Sequence, residues 1–228
     1  MPAEKDWILY APFSDKSLMR NVITYDIYRS LGYYAPRTKF CQVVLNGDYI
    51  GIYVFMEKIK KDENRVDIDD PGPDNQSGGY LLEFEAWSKL DSTDNYFESE
   101  IKGHPYVIHF PKDDDITVGQ IAWIENYINE FESMLYSDSF NDPDIGYYQY
   151  IDSPSWVDYI LLNEAFRNND AFYSSTYLYK KKNGKLFAGP LWDFNIAMGN
   201  VDYNDNWLTE GLLLDSKYLS SILLKDSS

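Results

Sequence analysis

Two Asn-Gly dipeptides constrain this chain more than any other feature: Asn46-Gly47 and Asn183-Gly184 each stand between runs rich in β-branched and aromatic residues. Asn and Gly tolerate the left-handed backbone that a tight hairpin turn requires, so each pair predicts two antiparallel strands. The first hairpin is expected to join Phe40–Leu45 to Tyr49–Met56, the second Thr176–Lys181 to Lys185–Trp192. In the first, Ile50, Ile52, Val54 and Met56 alternate with Gly51, Tyr53 and Phe55, which predicts a strand covered at least in part on both faces. A strand over Gly79–Glu85 is expected to share a sheet with this hairpin, and Tyr106–Phe110 has the same character.

Helical spacing accounts for much of the rest. Leu18, Val22, Tyr25, Ile27, Tyr28 and Leu31 follow the polar Asp15-Lys16-Ser17 and stop at Gly32, a capped helix with a glycine terminator. Ile121, Ile124, Ile128, Phe131 and Leu135 predict a helix within Thr117–Tyr136. Ser153-Pro154-Ser155 opens another that runs to about Phe166, with proline in its first turn. Residues 62–79 form a polar loop rich in Asp, Pro and Gly. Segments mixed in this order argue for an α+β class. One domain over 1–228 is expected, with approximate lobes 1–112 and 113–228.

At 228 residues, 44% hydrophobic and 17% aromatic, the chain can bury a sizeable core. Its longest apolar runs, such as Ile160-Leu161-Leu162, fall far short of the roughly 20 residues of a membrane span. A net charge of −17 repels phosphate backbones and argues against nucleic acid as a partner. It leaves a nucleotide site open, because Mg²⁺ can bridge carboxylates to phosphates. Cys41, the single cysteine, lies in an apolar run and reads as a buried structural thiol. No basic stretch followed by an apolar one marks a signal peptide at the start. The chain ends soon after Ser220–Leu224, a stretch with amphipathic helical character, so a truncated C-terminus is expected. A fragment lacking its leader would leave a secreted or cell-surface address open.

The chemistry gathers around the second hairpin. Asp170 lies in the segment entering it and Asp193 in the segment leaving it, so the antiparallel pair brings both carboxylates to one end. Phosphoryl transfer needs such a pair, one carboxylate to orient the attacking hydroxyl and one to hold Mg²⁺ against the phosphates. The order Asp170, Ser175, hairpin, Asp193-Phe194-Asn195 parallels that of protein kinases, whose catalytic Asp, metal-binding Asn and Asp-Phe-Gly follow one another in this way. Ser175 and Asn195 are then the further candidate metal ligands. Lys58 is the candidate for the α- and β-phosphates, with Glu57 or Glu83 as its ion-pair partner. The bland readings stand beside these: Asp at hairpin ends caps turns, and Lys58 next to Lys60 and Lys61 is a solvated strand end. Asp67, Asp69, Asp70 and Asp74 lack the spacing of a calcium loop and read as a solvated loop. His104 and His109 have no motif around them and read as ordinary strand or loop residues.

The stretches Asp15–Asn21, Leu45–Tyr53, Glu57-Lys58-Ile59, Gly78–Glu83 and Gly189–Phe194 together resemble, in order, the landmarks of the CotH (spore-coat protein H) kinase-like family. The resemblance implies an atypical protein-kinase-like two-lobe fold that uses ATP and Mg²⁺ to phosphorylate a Ser or Thr hydroxyl of a protein substrate. It implies Asp170 as the catalytic aspartate and Asp193 as the metal ligand. Ser175 replaces a kinase-type Asn, Asn195 replaces a frequent Asp, and no Gly-x-Gly-x-x-Gly is present. Active, weakened and inactive adaptor forms therefore stay open. So does a carbohydrate-binding module or glycosidase, for which exposed Trp87, Trp123 and Trp207 would argue.

Overall fold

In the computed structural model, residues 1–72, 75–204, 206–214 and 223 are described. The elements run β1 (Trp7–Tyr10), α1 (Arg20–Ser30), β2 (Thr38–Leu45), β3 (Asp48–Glu57), β4 (Tyr80–Phe84), β5 (Tyr96–Glu98), β6 (Pro105–Phe110), α2 (Val118–Leu135), α3 (Ser153–Ala165), β7 (Thr176–Lys180) and β8 (Leu186–Ala188). The α+β class holds: among the described residues two antiparallel sheets, ordered β1-β3-β2 and β5-β6-β4-β7-β8, pack with the helices α1, α2 and α3.

The first hairpin forms as expected, with Leu45 opposite Asp48. Asn46 and Gly47 both take positive φ, 53° and 91°, which a two-residue turn of this hand demands. Coverage of β3 is confined to its second half, where Val54 and Met56 are buried, while Tyr49, Ile50 and Ile52 are exposed. Cys41 is only half-buried, its Sγ 3.6 Å from the Tyr53 carbonyl, so it sits on the hairpin surface and not in the core.

The expectation that Gly79–Glu85 would join this hairpin is wrong. β3 already has both edges filled, by β1 and β2, and β4 has both filled by β6 and β7. Every residue of β4 is buried, as befits the centre of the second sheet. The second hairpin is shorter than expected because β8 ends at Ala188. Gly189 follows with φ 114°, and a Cβ there would lie 2.5 Å from the Tyr28 hydroxyl, so only glycine fits this turn away from the strand.

The helices obey their local chemistry. Thr117 and Gln120 form a reciprocal capping box at the start of α2. Asp152 caps α3, with Pro154 in its first turn. One apolar core joins Tyr25 and Tyr28 of α1, Val54 and Met56 of β3, Leu82 and Phe84 of β4, Ile124, Ile128 and Phe131 of α2, and Trp156 of α3. Each such large side chain contributes roughly 1.5–3 kcal/mol by leaving water. The second sheet draws β4, β5 and β6 from before residue 112 and β7 and β8 from after it. The stretch 220–224 lies outside the described residues except for Leu223.

Candidate active site

The segment entering β7 and the segment leaving β8 converge at one end of the second sheet, as the antiparallel pairing requires. Leu178 lies opposite Ala188, and the Gly189 N–H donates to the Tyr177 carbonyl at 2.9 Å. Asp170 and Asp193 are both half-buried there. Burial raises the Asp193 pKa first, and the charge of Asp170 raises it further, which puts the two carboxylates within electrostatic reach.

Backbone conformation at this end is costly. Phe172 (φ 55°), Ser175 (φ 52°) and Asp193 (φ 58°) all take left-handed geometry without being glycine. Such residues survive where surrounding structure over-determines them. For Asp193 those surroundings come from the Asp15–Asn21 motif. The Asp193 N–H donates to the Tyr25 hydroxyl (3.3 Å) and the Phe194 N–H to Asn21 Oδ1 (2.7 Å). Asp15 caps the first amide of α1, at Arg20 (3.0 Å), and pairs with the Arg20 guanidinium. Arg20 Nε then donates to the Ala197 carbonyl at 3.0 Å. The motif therefore braces the loop that carries Asp193.

One cation at the site escaped the sequence reading. Lys89, in a short 3-10 turn after β4, donates to Ser174 Oγ and reaches Ser175 Oγ at 3.5 Å. Its charge lowers the Asp193 pKa against the effects of burial and Asp170. Lys89 also lies 4.0 Å from Glu85, whose carboxylate accepts from Ser174 and from the Ala86 N–H. Burial pushes the Glu85 pKa up in spite of these bonds, with help from Glu83. The i, i+4 spacing of Glu85 and Lys89 was the available signal.

Glu83 reaches Asp193 electrostatically, but its closest partner is His109 Nε2 at 2.6 Å. His109 is thus more than an ordinary strand residue. Glu57 and Lys58 fall elsewhere. Glu57 is buried and held by Arg37 (2.8 Å) and Arg65 (3.8 Å), a structural ion-pair cluster. Lys58 is exposed and lines a separate pocket. Of the candidates, then, Asp170, Asp193, Ser175 and Glu83 come together, and Glu57 and Lys58 do not.

Among the described residues no three His, Cys, Asp or Glu side chains group to hold a metal ion. Asp69 accepts from the Lys182 N–H and Asp70 faces Lys61 at 3.7 Å, while Asp74 lies outside the described residues. Asn195 behaves differently: its side-chain oxygen is buried and meets no hydrogen-bond partner among the described residues. Asn195 stands two residues after Asp193, and an unmatched amide oxygen there is a hard donor of the kind a hard cation takes. A groove of about 330 Å³ opens between the 11–18 segment and β3, lined by Asp15, Lys16, Leu18, Ile50, Ile52 and Tyr53. Tyr10, the residue before the groove's Ala11, has its pKa raised to about 12 by burial and by the charges of Asp193 and Asp15.

The chain is thus an α+β domain in which two acidic side chains flank a β-hairpin and a helix start braces the loop that carries one of them. The family described as CotH kinase protein matches residues 1–227, and the chain belongs to that family. No curated protein matches the chain.

Proposed function

We propose that this chain transfers a phosphoryl group from ATP, with Mg²⁺, to a serine or threonine hydroxyl of a protein. The observation that carries the reading is the pairing of Asp170 and Asp193 at the end of β7 and β8, with Asp193 penalised for its charge. Two neighbouring carboxylates are unfavourable until a cation offsets them. Asp193 and the Asn195 oxygen would hold Mg²⁺, whose chemistry here is to neutralise charge on the phosphate oxygens. Ser175 joins them only by giving up its contact with Lys89. Asp170 orients the acceptor hydroxyl and takes its proton. Lys89, partnered by Glu85, supplies the ammonium for the phosphates, a role the sequence suggested for Lys58 with Glu57 or Glu83. In this reading the groove beside Leu18, Ile50 and Ile52 takes the adenine, and the two sheets act as the two lobes of a kinase-like cleft.

The test is calorimetric titration of ATP with and without Mg²⁺, on the parent and on Asp193→Asn. The parent should bind ATP only with Mg²⁺, and the variant should lose at least about tenfold in affinity. A parent that binds no nucleotide under either condition would sink the reading and leave a phosphate-free adaptor role. The glycan alternative draws on Trp87 and Trp207, which are half-exposed, whereas Trp123 stacks on Tyr80 and Tyr127. Magnesium-dependent nucleotide binding separates the two.

A further inference from the structure

The chain carries 37 acidic and 20 Lys or Arg residues, yet four lysines and a histidine border one pocket. This pocket, about 240 Å³, lies between the residues after β3 and the end of β6, and its border sets Asp6 beside Lys58, Lys60, Lys61, His109 and Lys112. Lys60 is already neutralised, by Asp6 at 2.7 Å and Glu4 at 3.0 Å. Lys61 faces Asp70 and lies over the Phe110 ring. Lys58 and Lys112 have no carboxylate partner among the described residues. Asp6, Glu4 and Asp70 set three carboxylates against the four ammonium groups, so in this acidic molecule a local positive excess remains, carried by Lys58 and Lys112.

The surroundings give the pocket a direction. A neighbouring groove shares His109 and Lys112 but adds Asp94, Asp113 and Asp114, which repel an anion from that side. An anion is therefore driven toward Lys58. Ile59, buried in a small apolar cluster with Leu81 and Tyr177, is part of the lining, while Lys58 and Lys112 are themselves exposed and open to a ligand. His109 connects the pocket to the aspartates, because its partner Glu83 acts on Asp193.

We propose that this pocket is a subsite for the phosphomonoester of an already phosphorylated serine or threonine in a peptide. The phosphomonoester, close to −2 at neutral pH and with three acceptor oxygens, can engage both ammonium groups that lack a carboxylate partner, whereas a single Asp or Glu carboxylate brings one charge and two oxygens. The inference rests on the proposed phosphotransferase reading: the site recognises that reaction's own product class. A segment phosphorylated once is then held for modification at a second hydroxyl.

The experiment is fluorescence-anisotropy titration of the parent, Lys58→Gln and Lys112→Gln with a phosphoserine peptide, its unphosphorylated form and inorganic phosphate. ATP–Mg affinity is measured alongside. The parent should prefer the phosphopeptide to its unphosphorylated form by about tenfold or more. Each substitution should weaken phosphopeptide binding about 2- to 10-fold, with the preference shrinking at high salt. Lys112→Gln should leave ATP–Mg affinity unchanged. Equal binding of the two peptides, or unchanged phosphopeptide binding in both variants, overturns the assignment. Loss of ATP–Mg affinity in both variants also overturns it, since the lysines would then belong to the nucleotide. If the parent binds no ATP but retains lysine-dependent phosphopeptide binding, the phosphotransferase reading fails and the anion site stands.

Discussion

Asp193 is worse off ionised in the folded chain than in the unfolded one. Its folded pKa is raised, so below the unfolded value, near 3.9, both states are protonated and it costs nothing. As pH rises past that value the unfolded state ionises first, and stability is lost until the folded group ionises too. Asp193→Asn should therefore raise the melting temperature at pH 7, with the gain vanishing toward pH 3. Thermal unfolding across pH 3–8 measures it, and a variant less stable than the parent at pH 7 contradicts the burial argument. Asp170→Asn should keep ATP affinity within about twofold while phosphate incorporation falls on the order of 10²–10⁴-fold. Glu57 belongs to a different account. Removing it leaves Arg65, 4% exposed, without its carboxylate, so Glu57→Ala should cost about 3–5 kcal/mol in urea unfolding. Of these three residues, the sequence made the place of the two aspartates legible through hairpin geometry. It hid the role of Glu57, because its arginine partners lie 20 and 8 positions away and no local pattern marks them.

Elements whose chemistry is local were readable. The first turn, the capped α2 and the proline-led α3 stand where Asn46-Gly47, Thr117-x-x-Gln120 and Ser153-Pro154 put them, whereas around Asn183-Gly184 the strands stop at Lys180 and resume at Leu186, leaving a longer loop in which only Asn183 of the pair takes positive φ. Thr117→Ala should cost about 1 kcal/mol and roughly 2–4 °C in melting temperature, because the Gln120 amide at the start of α2 loses its side-chain acceptor. Sheet membership was not readable, since it depends on which edges remain free after other strands have paired. β1 has four residues and β5 three, too few for a periodicity, yet β1 is what closes β3 against β4. Lys89 was missed for a related reason: it lies on a turn that only the folded β4 aims at Ser174 and Ser175.

At the scale of the whole molecule, a charge of −17 makes the compact state repel itself. Raising NaCl from about 0.05 to 0.5 M shortens the Debye length several-fold, so the melting temperature should climb; a flat or falling curve would show that paired charges dominate. The order of the second sheet has its own consequence in time. β4 lies between β6, which follows it closely, and β7, where Tyr80 pairs with Lys180. On a ribosome adding about 5–20 residues per second, those 100 positions take roughly 5–20 s, during which one side of β4 has no native strand to bond. The growing chain must keep that bare edge, apolar except for Glu83, away from its neighbours until the two aspartates and the hairpin between them have been made.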